Sequence, residues 1–218
     1  MRIDRTTVAG NGVLLVDCDR WGAGLDLMLG IEDDPGLRWA DLAARSGRLP
    51  VDALHQALPG LRVGSGRVGV LCHGRRPAAD VSADVVSVVL DAGRRSGAVT
   101  IVDLPRQPGP AADRVLEQAD LVVLVAPADV RGCWAAERVC VRIRQFGSHA
   151  GIVVRGPSPG GMGAVEMAEF LGLPLLARMR PVSSLPRELE YGLATGGGRR
   201  RPLDRAARDV LLALREAS

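Results

Sequence analysis

The chain contains no lysine: all 28 of its basic residues are arginine. That absence excludes a glycine-rich phosphate loop closed by a lysine, which nucleotide-handling α/β proteins use to hold the phosphates. Cysteine is scarce, and Cys18, Cys72, Cys133 and Cys140 form no CxxC pair. No Cys/His cluster has zinc spacing, so the four are read as reduced thiols of a cytoplasmic protein. The three histidines, His55, His73 and His149, are scattered and have no spaced Ser, Cys or carboxylate that suggests a triad or metal site. No long apolar run occurs either. The stretch around Leu121 to Ala128 is far too short to span a bilayer, and Met-Arg-Ile-Asp-Arg at the start leads into no apolar leader segment. The chain is therefore read as neither secreted nor integral. Charge of one sign is lacking too. A net charge of +3, with 25 acids interspersed among the arginines, argues against a nucleic-acid-binding protein.

What is present is apolar and regularly interrupted. Hydrophobic residues make up 47% of the 218, enough for one α/β domain spanning 1–218 with a substantial core. Short apolar runs alternate with helical patterns, which predicts a mostly parallel sheet flanked by helices. Six strands are expected: Val13 to Asp17, Val68 to Cys72, Val99 to Asp103, Leu121 to Ala126, Ile152 to Arg155 and Leu175 to Ala177. Helices are expected at Leu25 to Leu29, Trp39 to Arg45, Val51 to Ala57, Ala83 to Arg95, Ala111 to Gln118, Arg131 to Gln145, Met162 to Leu171, Leu185 to Gly192 and Leu203 to Arg215. Turns fall at Leu58-Pro-Gly60, Pro108-Gly-Pro110 and Gly156 to Gly163. Residues 199–218 read as a basic loop followed by the last helix, within the same domain.

Two of these strands end in acids. Val13-Leu-Leu-Val-Asp17 is followed by Cys18-Asp19, and Val99-Thr-Ile-Val-Asp103 by Leu104-Pro105. Asp17 and Asp19 sit two residues apart, so extended backbone points both to one side. Such a pair can orient an attacking or Mg²⁺-bound water, though acids also simply finish buried strands where the chain meets solvent. Asp103 follows the pattern of the acidic strand that holds the Mg²⁺ shell in P-loop NTPases. Gly64-Ser-Gly66-Arg-Val-Gly69 spells GxGxxG but precedes a strand, so it is read as a turn. Gly156 to Gly163 lies between a strand and a helix, yet it has no Lys-Ser/Thr ending and reads as a structural loop or nucleotide edge. Cys133 and Cys140, two turns apart, are expected to pack on the sheet. Trp21 and Trp39 mark an interaction surface or anchor a loop. Leu203, Ala207, Val210, Leu211 and Leu214 form one stripe of the last helix. That stripe is expected on its own domain, with docking on a membrane or partner as the alternative.

Together with Ala119-Asp-Leu-Val-Val-Leu-Val-Ala-Pro127 and the Gly172-Leu-Pro174 and Arg180-Pro181 segments, these motifs resemble the MinD/ParA class of deviant P-loop ATPases. More narrowly, the chain resembles actinobacterial septum-site-determining proteins and the related CpaE and TadZ factors. The segments that carry the likeness are Val13 to Gly30, Gly36 to Leu42, Val99 to Arg106 and Val153 to Gly163. The resemblance implies a P-loop NTPase fold with ATP and Mg²⁺ as family cofactors. It places Asp17 and Asp19 on the switch I acids, Asp17 near the Mg²⁺ shell and Asp19 as the catalytic, water-positioning group. It places Asp103 on the Walker B acid, so that Asp17 and Asp103 are the metal-side residues, through water. Arg155 falls where relatives contact the nucleotide base. It further implies a homodimer, protein partners in the septum or in a secretion or pilus machinery, and a cytoplasmic location with peripheral placement at septum or pole.

Relatives begin with a strand, a phosphate loop and a helix, whereas only twelve residues precede Val13. A βαβ unit needs on the order of 30 residues. The first strand and P-loop are accordingly read as missing from the chain, with exposed ladder edges as the expected result. The resulting expectation is a spatial regulator that does not hydrolyse ATP as it stands and holds no cofactor. Two alternatives stay open: an active ATPase whose upstream segment is omitted, and a DNA- or membrane-surface-binding module using Arg199 to Arg201 and the last helix.

Overall fold

A computed structural model describes residues 12–43, 51–63, 66–74, 80–158, 160–191 and 201–217. The stretch before Gly12, the first two residues of the predicted Gly64 to Gly69 turn, the predicted helix ends at Arg45 and Gly192, and the Arg199 to Arg201 loop up to its last residue lie outside these. The remainder of that predicted turn, Gly66 to Gly69, is strand rather than turn, because it pairs with Gly60–Val63. In chain order the elements are β1 (Val13–Asp17), α1 (Leu25–Leu29), α2 (Trp39–Ala43), α3 (Val51–Ala57), β2 (Gly60–Val63), β3 (Gly66–Leu71), α4 (Ala83–Ser96) and β4 (Val99–Asp103). They continue with α5 (Pro110–Gln118), β5 (Val122–Pro127), α6 (Val130–Gln145), β6 (Ala150–Arg155), α7 (Ala164–Leu171), β7 (Leu175–Met179), α8 (Leu185–Glu190) and α9 (Pro202–Ala217). The expected mostly parallel α/β architecture is observed. The strands form two sheets, in two compact units.

The first sheet has the order β2-β3-β1-β4, with β1 parallel to both β3 and β4. All five residues of β1 are buried, because a strand paired on both sides and covered on both faces has no solvent side. Alternation sends Leu14 and Val16 to one face with Trp39, Leu42, Leu54, Leu58, Val86 and Val89. Val13 and Leu15 go to the other, with Ile31, Val68 and Val70 and with Leu25 and Leu29 of α1 against them. Helix α4 is capped by Ser82, whose Oγ accepts from the Val85 N–H at 3.3 Å. Its buried stripe of Val86, Val89, Leu90, Ala92 and Gly93 follows helical spacing.

One strand was not anticipated. Gly60–Val63 pairs antiparallel with β3, so the segment read as the end of a turn at Leu58-Pro-Gly60 is a short edge strand. The pairing brings the Gly60 backbone so close to β3 that a Cβ there would meet the Val68 carbonyl oxygen at 2.0 Å. Its glycine serves a close strand approach rather than a turn.

The second sheet is fully parallel, in the order β5-β6-β7. Ile152 and Val154 of β6 face α6 and α7, where Cys133, Ala136 and Cys140 meet Met167, Ala168 and Leu171. The two cysteines thus pack as small hydrophobes, as their spacing predicts. Val153 and Ala177 face the other way, against Ala206 and Val210 of α9. Of the stripe predicted for the last helix, Val210 packs here, beside Ala206, which the predicted stripe did not include. The N-cap of α6 is Asp129, whose Oδ1 accepts from Gly132 N–H at 2.7 Å. Among the described residues β4 pairs only with β1, and β5 only with β6. Val125 of β5 is 53% exposed. No helix of the described residues is long and apolar enough to cross a membrane.

Candidate functional site

Parallel pairing of β1 with β4 sets Asp17 opposite Asp103 in register, so two carboxylates share one strand-end rim. The ladder runs one bond further, from Cys18 N–H to the Asp103 carbonyl at 2.9 Å. Asp19 then opens a turn: its Oδ1 accepts from Trp21 N–H at 3.2 Å and its carbonyl from Gly22 N–H at 3.0 Å. The three acids predicted from the sequence are therefore brought to the end of one sheet. Arg155 stands exposed at the end of β6 in the other unit.

Asp17 is 2% exposed, and both carboxylate oxygens are engaged. Oδ1 accepts from Asp19 N–H at 2.9 Å and Oδ2 from Leu25 N–H at 3.0 Å, so one side chain ties the strand end to both its following turn and the start of α1. Burial raises its pKa above the ordinary carboxylate value, and the two N–H donors offset part of that rise. Asp103 is more open, yet partial burial and then the charges of Asp17 and Asp19 also hold its pKa up. Trp39 anchors the arrangement from the core: it is 2% exposed and its Nε1–H donates to the Asp17 carbonyl over 2.6 Å. Of the two readings for the tryptophans, Trp39 takes the anchoring one. Trp21 is 76% exposed with the Arg20 guanidinium 4.7 Å above its ring. Arg20 itself pairs with Asp80.

Beside the acids lies a cleft of about 150 Å³, lined by Asp17, Asp19, Arg20, Asp26, Glu32 and His73 among others. Three members of this neighbourhood carry no signal in the sequence. Asp26, buried on α1, accepts a hydrogen bond from the Cys72 thiol and has Arg38 Nε at 3.9 Å. His73 follows β3, 6.3 Å from the Trp39 ring, and lines the cleft although its spacing gave it no role. Burial and the nearby Arg20 lower its pKa, favouring the neutral ring. An apolar-flanked Asp in Leu25-Asp-Leu-Met-Leu29 and a histidine at a strand end are hints visible only once the fold joins them. Cys18 and Cys72 are pushed up to about 12, in each case by burial first and neighbouring acids next.

Taken by themselves, the described residues of this rim do not complete a Mg²⁺-ATP site. Among the described residues no group of three or more His, Cys, Asp or Glu could hold a metal ion. Asp17 already gives both oxygens to main-chain donors, and no lysine exists in the sequence to meet a triphosphate. Three carboxylates facing a polyanion repel it. What the rim does support is structural: one buried carboxylate organises a strand, a turn and a helix start.

The Gly156 to Gly163 loop holds itself together, with Met162 N–H donating to Ser158 Oγ at 2.9 Å. It leads into α7, where Gly163 N–H donates to Glu166 Oε2 at 3.3 Å.

Comparison with known proteins bears on the fold and on relatedness. No family model matches the chain. Two curated proteins of Mycobacterium tuberculosis, the uncharacterized proteins Rv3660c of strain H37Rv and MT3760 of strain CDC 1551, are each 46% identical to it over 203 residues. The match covers 93% of this chain and 56% of each relative, so the chain spans about half the length of the curated relatives it matches. Among solved structures, the chain is similar to the MinD cell division protein of Aquifex aeolicus, with a TM-score of 0.71 and 20% identity over 94% of this chain and 85% of that one. A ParA family ATPase from Chlorobium tepidum gives 0.74 and 19% over 92% and 85%. The septum site-determining protein MinD of Pyrococcus horikoshii, solved with Mg-ADP, gives 0.68 and 18% over 95% and 91%. The fold is that of the MinD/ParA ATPases.

Proposed function

We propose that this chain is a MinD-like or CpaE-like spatial regulator, acting in septum placement or in positioning a secretion or pilus apparatus, and that as it stands it does not hydrolyse ATP. The carrying observation is the pairing of Asp17 with Asp103 on a MinD/ParA sheet, with the Asp17 carboxylate committed to the backbone and no lysine in the sequence. In this reading the protein acts by recognising other proteins, and the acidic rim stabilises the surface it presents. The test is ATP hydrolysis and fluorescent-nucleotide binding by the purified 218-residue protein with Mg²⁺. We expect neither. Hydrolysis that disappears in Asp103→Ala would overturn the reading.

A second reading takes the chain as the acid-bearing part of a longer ATP-hydrolysing protein, since it spans only 56% of each curated relative it matches. Asp103, Asp17 and Asp19 would then be its metal-side and water-side carboxylates, and Arg155 its base contact. Fusing this chain to the additional segment of a Mycobacterium tuberculosis relative tests it: hydrolysis that appears in the fusion and is lost with Asp103→Ala supports this reading, and a silent fusion refutes it.

A further inference from the structure

Helix α6 has two apolar stripes, and only one is buried. Cys133, Ala136, Cys140 and Ile143 face the sheet, while Val130, Trp134 and Val141 repeat on a second face and are 62%, 61% and 51% exposed. A tryptophan and a valine pair in water forfeit transfer free energy that a soluble surface has no reason to forgo. Phe170 of α7, 56% exposed, meets Trp134 edge-on with ring centroids 6.0 Å apart. Between the helices lies a cleft of about 150 Å³ with Cys133 and Met167 in its lining and Trp134, Phe170, Val130 and Met162 around them.

The charges beside this cleft are segregated apart from Glu137 of α6, which lies next to Cys133 and is paired with Arg144 at 3.2 Å. Arg131 and Arg138 lie seven residues apart, hence on one face of α6, one step around the helix beyond Val130 and Trp134, and both are exposed. On α7 the exposed residues flanking Phe170 are Glu166, which lines the cleft, and Glu169. The cleft is thus apolar within and acidic along its α7 rim, while its α6 rim carries Arg131 and Arg138 beyond the mutually neutralising Glu137–Arg144 pair, a net basic edge.

We propose that the α6–α7 cleft is a docking site for an amphipathic helix of a partner protein, one whose apolar stripe is flanked by acids on the side facing α6 and by bases on the side facing α7. An apolar groove between two helices accepts the apolar face of a third, with aromatic anchors carrying most of the affinity. Opposed rim charges orient the guest, because only one direction along the groove satisfies both. A lipid surface fits less well, since Glu166 and Glu169 repel anionic headgroups on the same face. The inference is independent of any nucleotide chemistry.

The experiment uses the full chain and three synthetic helical peptides with one shared leucine stripe, flanked by acids on one side and bases on the other, by acids on both, or by bases on both. Affinity is read by anisotropy of the labelled peptide. We expect the mixed-flank peptide to bind about tenfold or more tighter than either uniform one. In Arg131→Glu/Arg138→Glu, where both rims become acidic, the ranking should change so that the doubly basic peptide binds best. Trp134→Ala and, separately, Phe170→Ala should each abolish binding while circular dichroism stays that of the parent protein. Three peptides that bind equally or not at all, or affinity unchanged in both aromatic variants, would overturn the proposal. So would Trp134-dependent binding to phosphatidylglycerol vesicles without peptide selectivity, or Trp134-dependent self-association in sedimentation, which would assign the cleft to a lipid or a second copy.

Discussion

Trp39 donates its indole N–H to the main-chain carbonyl of Asp17 across 2.6 Å, joining a buried aromatic of α2 to the last residue of the central strand. Trp39→Phe keeps most of the buried ring but leaves that carbonyl without its donor. A buried polar group left unsatisfied costs about 1–3 kcal/mol. We expect the variant to lose about that much in urea denaturation followed by circular dichroism, with an unchanged slope.

Asp17→Ala removes the acceptor of both the Asp19 and the Leu25 N–H groups. We expect a loss of about 1–3 kcal/mol and faster amide exchange at Asp19 and Leu25, because the donors lose their partner. Unchanged exchange at both amides would refute the tethering role.

The paired acids also set a pH dependence. Asp17 and Asp103 both have folded pKa values above the ordinary carboxylate value, so between the unfolded and folded values the native state binds the extra protons. Their contribution therefore favours folding as pH falls through the folded values and opposes it above them. Asp103→Asn removes one charge of the pair. We expect its urea midpoint to exceed that of the parent protein at pH 7, and the gap to narrow toward pH 4.

All four thiols are raised above their ordinary value, Cys18 and Cys72 to about 12. A thiolate is the reactive form, so the folded protein should react slowly with a disulfide reagent at pH 8. We expect well under one equivalent of fast-reacting thiol in native protein and all 4 in denaturant.

Gly93 of α4 lies against β4: a Cβ there would stand 2.2 Å from Thr100 Oγ1. Overpacking of this kind costs about 1–3 kcal/mol. Gly93→Ala should lose about that amount, and Gly93→Ala with Thr100→Ala should recover most of it, a coupling that a double-mutant cycle measures.

Which parts of this architecture were legible in the sequence follows from how local each signal is. β1 was readable because five buried residues in a row need no partner to announce a strand. β2 was not, because Gly60-Leu-Arg-Val63 becomes a strand only by lying against β3, and Pro59-Gly60 imitates a turn. The acids at the ends of β1 and β4 were visible as strand terminators, and their convergence followed from parallel pairing. Asp26, Arg38 and His73 were not, since three separate segments meet there only after folding. Nor could spacing show that the Asp17 carboxylate is held by the main chain, because that depends on the path of the turn through Asp19 to Leu25.

The same carboxylate that ends β1 also fastens α1, and its backbone oxygen holds the indole beneath. Loss of Asp17 therefore cannot be a clean functional knockout: any substitution there tests foldedness and chemistry at once. Asp103, which shares the rim but not these tethers, is the position at which charge can be altered while the scaffold stays standing.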